Sequence, residues 1–378
     1  MLAKVTESYS NTPSQIDIIT ELYYNFNNRG TFTKRGAMGV LVFFIALGLL
    51  VAFHELGHFL FAKLFGVKVE VFSIGFGPKV TSKKIGETEY CISLIPLGGY
   101  VKLAGELGQN KDELKNPSLF TSKPRWQQLI VYLAGPVFSV ILGFLLLFTS
   151  YTSFGIPISR VASVQQNSPA EKAGIKPGDR ILAVNDTNTQ SPEEVIMAIG
   201  SSSDNIIIDI KVKRGATEEL NMSIEPKIVD GVPKIGVSIS RESIKNPAKA
   251  LAMSLNTSKA DAGIVISGLG QLLSGKVSPK EGLMGPIGMA NLSNRVSSSR
   301  NWPFLFELWA LISINLGIFN LLPISVLDGG NIAILTLEII LRRPLNQTIK
   351  IRFLKFGAAL IVFLMVYIIY LDISRLLN

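Results

Sequence analysis

The stretch GAMGVLVFFIALGLLVAFHELGH, residues 36–58, decides the fold. From Gly36 to Phe53 it carries no charged residue. At about 1.5 Å per helical residue it nearly spans a hydrocarbon core roughly 30 Å thick. It then runs into His54, Glu55 and His58. Histidines four residues apart fall on one face of a helix, so both imidazoles point the same way. The chain has 378 residues and two histidines, and both are spent here. Ionisable groups at the end of an apolar span are expensive and mark function. That cost counts against the bland reading, two interfacial histidines beside a snorkelling glutamate.

Composition widens the same conclusion. Hydrophobic residues make up 48% of the chain and charged residues 17%, below the quarter or so usual in soluble domains. Mean hydropathy is +0.37. The net charge of +9 would suit nucleic acid or anionic lipid. Its basic residues cluster over Lys63–Arg125 and Arg342–Lys355, directly beside apolar runs. That is a positive-inside pattern, not the basic face of a nucleic-acid-binding domain, so the expected partner is the lipid bilayer and not nucleic acid. Cys91 is the single cysteine. It can form no intrachain disulfide and, alone, no thiolate metal site.

Four uncharged stretches are candidate spans: 36–53, 126–159 (helix-like over 128–150), 308–327 and 356–371. The loops between spans one and two, and between three and four, are rich in Lys and Arg and are expected to be cytoplasmic. The segment over 160–300 is then external. Lys34 and Arg35, ahead of span one on the side read as external, run against this scheme. Residues 1–37 are polar and read as an N-terminal extension that is poorly ordered. Residues 38–156 form the first part of a membrane core, and 303–378 the second. Val67–Pro78 and Thr88–Leu94 alternate and break at glycines, which predicts a β-hairpin of short strands; its apolar residues predict contact with the membrane. Residues 157–230 change to a soluble α+β module. Its run SPAEKAGIKPGDRILAVN, residues 168–185, resembles the PDZ family: a short helix ending at Gly174, a Pro-Gly-Asp turn, then a strand. Residues 231–302 read as a linker with an amphipathic surface helix over Pro247–Leu273.

His54 and His58 can share one zinc ion, and Glu55, beside the first ligand, can take a proton from a zinc-activated water as it attacks a carbonyl. The same carboxyl can hand that proton to the leaving amine. A catalytic zinc needs a third protein ligand and an open position. With no histidine left, a carboxylate is expected. Glu307, Asp328, Glu338 and Asp372 border the other spans. Asp328 ends an uncharged span, precedes Gly329-Gly330 and falls on the same side as His54, so it is the first choice. Glu338, further along, is the reserve. Asn320, inside span three, could hydrogen-bond a substrate backbone or an oxyanion, and could equally serve helix packing.

HELGH at 54–58, SIGFGP at 73–78, IPLGGYVK at 95–102, LAGP at 133–136, the run at 168–185, MGPIG at 284–288 and NLLPISVLDGG at 320–330 together resemble the site-2 protease family, in its bacterial RseP-like branch. The resemblance implies a polytopic α-helical membrane protein of about four transmembrane helices, with a membrane-associated β-hairpin and one α+β PDZ domain. It implies zinc held by His54, His58 and Asp328, Glu55 as catalytic base, and Asn320 handling the substrate. The implied activity is zinc-dependent intramembrane cleavage of single-pass membrane proteins already trimmed by an upstream site-1-type protease, anti-sigma factors and signal-peptide remnants among them. The implied place is the bacterial cytoplasmic (inner) membrane, with the PDZ domain outside and the active site near the cytoplasmic face. The hairpin would present the substrate as an added strand, because a helical segment must be extended before its carbonyl can be attacked. Three departures stand out, one being a single PDZ module where some relatives have two in tandem. Ser325 occupies a position where many relatives have a second proline, and Ser139 one where relatives often carry asparagine. The alternative from another class is a PDZ-bearing membrane scaffold with a structural or degenerate zinc site.

Overall fold

Without water to bond them, backbone groups inside a bilayer must be satisfied within helices or closed barrels. Among the described residues four helices are long and apolar enough to cross a membrane: Phe43–Leu64, Arg125–Phe154, Trp302–Asn320 and Gln347–Ser374. The computed structural model describes residues 34–106, 116–185, 187–189, 195, 198–199, 207–229, 232–242, 246–275, 277–279, 285, 287–290, 293 and 302–377. Most of the predicted N-terminal extension lies outside them.

The described chain runs α1 (Lys34–Leu64), β1 (Val69–Ile85), β2 (Thr88–Leu103), α2 (Arg125–Phe154), β3 (Ile156–Val164), α3 (Pro169–Lys172), β4 (Arg180–Val184), β5 (Thr187–Asn188), β6 (Ile208–Arg214), β7 (Glu218–Ile224), β8 (Lys227–Val229), β9 (Val232–Lys234), β10 (Val237–Glu242), α4 (Pro247–Leu273), α5 (Trp302–Asn320), α6 (Asp328–Leu341) and α7 (Gln347–Leu377). It divides into two compact units: residues 32–147, 254–265 and 284–378 form one, and most of 148–283 the other.

Two of the expected span limits move. Span one does not stop before His54. The helix continues to Leu64, because Leu56, Phe59, Leu60, Phe61, Ala62 and Leu64 keep it apolar beyond the motif. The histidines therefore lie within the span and not at its end. Span three, expected to reach residue 327, ends as a helix at Asn320. Turns follow, in which Leu321 and Leu322 donate backbone bonds to Ile318 and Phe319, and the next helix opens at Asp328. Pro323 lacks the amide needed to continue the first helix.

In the apolar unit, Phe43 and Leu50 of α1 pack with Leu305, Leu308, Trp309 and Ile312 of α5. Small residues let backbones approach closely, as expected where helices associate in lipid. A Cβ on Gly57 would strike the Ala134 carbonyl, and one on Gly317 would come within 2.7 Å of the Pro136 carbonyl. On α6, Glu338 is buried and accepts from Arg125, Lys350 and the Leu345 amide at 2.6–2.8 Å. Burial works against its charge, but these donors more than offset it and hold the carboxyl below the usual range. Asp372, buried near the end of α7, accepts from the amides of Gly285 and Gly288 at 3.0 Å each.

The expected hairpin forms, but from two long strands instead of short ones. β1 and β2 pair antiparallel and the ladder curls: Phe72 faces Val101 and Tyr90, Ser73 faces Tyr100 and Cys91, and Ile74 faces Gly99 and Ile92. Among the described residues Gly99–Leu103, the end of β2, pairs with β1 on one side only, opposite Val69–Ile74. The hairpin also reaches well along α1. A Cβ on Gly48 would lie 2.7 Å from the Pro96 carbonyl, two helical turns before Glu55. Phe76, Leu94 and Ile95 near its bend are exposed.

The second unit holds a sheet of order β10-β3-β4-β6-β7, with β5 beside β4. Its sequence-predicted limit of 230 falls short, because Val237–Glu242 pairs with β3, a non-local partnership that local pattern cannot reveal. Ile181, Val184, Ile208, Ile210 and Val212 fill the core. Ser168 caps α3 by accepting from the Glu171 amide, while Glu171 reaches back to the Asn167 amide, a reciprocal capping pair. Asp179 is buried and takes two bonds from Arg214 at 2.7–2.8 Å, which hold its carboxyl below the usual range. Of the second helix expected over Ser191–Ile199, Val195, Ala198 and Ile199 are helical and buried; the rest lies outside the described residues.

Candidate metal centre

α1 presents His54 and His58 on one face, one turn apart, as their spacing requires. His58 Nδ1 lies 2.8 Å from the Val131 carbonyl oxygen, which can only accept, so that nitrogen carries a proton. In the neutral imidazole Nε2 is then a bare lone pair. His54 Nδ1 lies 2.9 Å from Ser139 Oγ, a buried hydroxyl on α2 that can accept in the same way. The two Nε2 atoms face one another at 3.3 Å. Asp328, the first residue of α6, turns Oδ2 towards His54 at 3.1 Å and Oδ1 towards His58 at 3.4 Å.

With Ser139 accepting from Nδ1, His54 Nε2 is also a lone pair, and two lone pairs and a carboxylate at this range form a set of acceptors that a cation satisfies. Tetrahedral zinc with ligand bonds of about 2.0–2.1 Å keeps its ligands roughly 3.3 Å apart, close to these separations. Among the described residues His54, His58 and Asp328 form the group able to hold a metal ion, their ligand atoms lying within 4.8 Å of one another. Room for an ion comes from α2. A Cβ on Gly135 would overlap His58 Nε2 and come within 2.7 Å of His54 Nε2.

Glu55 projects from the same turn of α1 and is held by β2, where the Val101 amide donates to its Oε2 at 3.1 Å. A Cβ on Gly99 would lie 3.5 Å from Glu55 Cγ, so this edge of the hairpin lies directly against the glutamate. The other predicted positions go elsewhere. Glu338, the reserve ligand, is occupied by Arg125 and Lys350. Asp372 is engaged by Gly285 and Gly288. Glu307 is not in the metal-binding group. Asn320 closes α5 with its side-chain amide donating to the Leu316 carbonyl at 2.9 Å, and it is not drawn among the ligands. Sequence reading left the role of Ser139 open and did not anticipate Val131 or Val101. A hydroxyl within an apolar span was the one available signal for the first; the other two act through backbone atoms.

The family model of peptidase family M50 matches residues 42–364, which include the whole centre. The chain belongs to peptidase family M50. A Campylobacter jejuni protein named a zinc metalloprotease is 33% identical over 351 residues, covering 88% of this chain and 93% of its own length. One of Rickettsia conorii, similarly named, is 32% identical over 367 residues, covering 90% of this chain and 100% of its own. The regulator of sigma-W protease RasP of Bacillus subtilis is 28% identical over 421 residues, covering 89% and 98%. As an M50 member carrying four apolar helices, the chain is a membrane-bound zinc metalloprotease of the site-2 type.

In this M50 centre Ser139 supports His54 from behind, the kind of contact that orients a ligating imidazole. Ser139→Ala is expected to weaken zinc binding by about 10- to 100-fold, measured by competition with a chelator. Unchanged affinity would remove Ser139 from the centre.

Proposed function

We propose that the chain is an intramembrane endopeptidase that cuts the spans of single-pass membrane proteins, with zinc on His54, His58 and Asp328 and with Glu55 as the base. The observation that carries this is the donor-free cluster of Nε2, Nε2 and carboxylate set inside an apolar span. When bound, zinc supplies a Lewis acid that polarises the scissile carbonyl and acidifies water. Glu55 takes the proton of the attacking water and passes it to the leaving amine. Val101 and Gly99 keep the glutamate against the edge of β2, where an extended substrate would lie as one more strand. A closed structural site would have a fourth protein ligand. Among the described residues the group contributes three.

The finer reading extends to the surroundings. The exposed Phe76, Leu94 and Ile95, and the depth of Pro96 along α1, support a hairpin that sits in the bilayer. Trp126 and Trp302 are exposed at the starts of two spans, as aromatic residues are at membrane interfaces. The sheet of the second unit and the turn at Asp179 support a PDZ domain. Loop charge supports placing that domain outside a bacterial cytoplasmic membrane and the zinc near the inner face. Asn320 is assigned to the substrate backbone. The substrates are membrane stubs left by an upstream protease, anti-sigma factors and signal-peptide remnants among them.

Two variants test the ligand set. Asp328→Asn is expected to weaken zinc binding by about 100-fold or more, with cleavage of a pre-trimmed single-span substrate lost alongside. Glu338→Gln is expected to lower thermal stability and leave zinc content unchanged. Metal analysis of the purified variants decides, and the reverse pattern would move the third ligand.

A further inference from the structure

Just past the edge strand lies a carboxylate that the proposed chemistry leaves unused. After Leu103 the chain turns through Ala104 and Gly105, the latter at φ +76°, and the Glu106 amide donates to the Leu103 carbonyl. This turn is pinned: the Ala104 amide donates to Lys68 at 2.9 Å, and its carbonyl accepts from Phe120 at 2.8 Å. Glu106 is thereby held at a fixed place beyond the strand. Its carboxylate is half-buried and, among the described residues, takes one bond, from the Tyr132 hydroxyl at a long 3.4 Å. Tyr132 is buried on α2 directly after Val131, whose carbonyl holds His58. Glu106 thus lies within electrostatic reach of His58 and Asp328.

A part-buried carboxylate with one neutral, distant partner is poorly compensated. Burial pushes its carboxyl above the usual range. Among the described residues no lysine or arginine approaches it, although Lys68, Lys102 and Lys123 belong to the same part of the chain. A bound substrate can bring a cation to it. An extended segment laid along Gly99–Leu103 would run on towards Glu106. On the cytoplasmic side of a single-span protein the residues next to the span are characteristically Lys and Arg.

We propose that Glu106 is a specificity-determining residue that pairs with a lysine or arginine flanking the scissile bond of the membrane substrate. The inference rests on the reading of the chain as an intramembrane endopeptidase that takes its substrate along the edge of β2. Pairing gives a cationic partner to a carboxylate that, among the described residues, has only the Tyr132 hydroxyl. It also sets how far the substrate slides before its carbonyl meets the metal, so the residue fixes the place of the cut as well as the choice of chain.

The test uses purified full-length protein in liposomes and a panel of single-span substrates. Each position on the cytoplasmic side of the cut carries Lys, Gln or Glu in turn, and kcat/KM is measured for the wild type, E106Q and E106K. At one position the wild type is expected to favour Lys over Gln by about tenfold, the scale of one part-buried charge pair. E106Q should lose that preference while still cutting the Gln substrate, and E106K should favour Glu there. The reversal is a gain of activity that misfolding cannot imitate. A lysine preference that survives in E106Q, or none in a wild type that cuts the panel, overturns the inference and leaves the proposed activity standing. A wild type that cuts no member overturns both.

Discussion

Glu55→Gln is expected to keep its zinc and to lose hydrolysis by about 10²–10⁴-fold, the usual worth of a general base. Glutamine has the shape of glutamate and offers the same carbonyl-type oxygen to the Val101 amide, which here donates to Oε2 at 3.1 Å. Docking of the hairpin against α1 should therefore persist. The outer ring nitrogens of His54 and His58 are held from α2, by the Ser139 hydroxyl and the Val131 carbonyl, and not by the residue between them. The amide fails in one respect: it cannot take a proton at neutral pH. Metal content by elemental analysis, with turnover of a pre-trimmed single-span substrate, separates the two effects. Undiminished turnover by a zinc-loaded variant would dismiss Glu55 as the base.

Gly135→Ala should be as damaging by a different route. The added methyl would overlap His58 Nε2 and lie 2.7 Å from His54 Nε2, in the space where the ligand atoms converge. Moving α1 and α2 apart to make room would open the close packing of Gly57 on the Ala134 carbonyl. The methyl and the ion compete for one volume, so zinc content is expected to fall with activity. Gly263→Ala serves as the control, since a Cβ there meets nothing within 4 Å. In a helix interior that change should stabilise by about 1 kcal/mol or less. A fully loaded Gly135→Ala enzyme would show that the ion sits away from α2.

What the sequence disclosed and what it hid have a common physical cause. Spacing placed His54 and His58 on one face, and the absence of any other histidine turned the search towards carboxylates; the coordinates bring Asp328 to that face. Both signals are local or compositional. Hydropathy weighs a charge without its partner: Glu55 ends the uncharged run, yet the helix continues and the Val101 amide bonds the carboxylate. Span three differs for the opposite reason, since Leu321–Leu327 is uncharged yet cannot stay helical around Pro323. Ser139, Gly135 and Glu106 lie against other elements or leave space for them, and β10 pairs with a strand 73 to 86 residues earlier. No periodicity records such pairings.

The bond between His54 and Asp328 joins residues separated by 274 positions. An ion shared by them behaves as a cross-link closing most of the chain into one loop, and it binds only when α1 and α6 are already in place. Thermodynamic linkage then makes metal supply a term in folding: free zinc at a thousand times its dissociation constant adds about 4 kcal/mol to the native state. That is a large fraction of the total for a typical domain. A cell short of zinc would accordingly hold a less durable bundle, open to quality-control proteolysis, as well as an idle one.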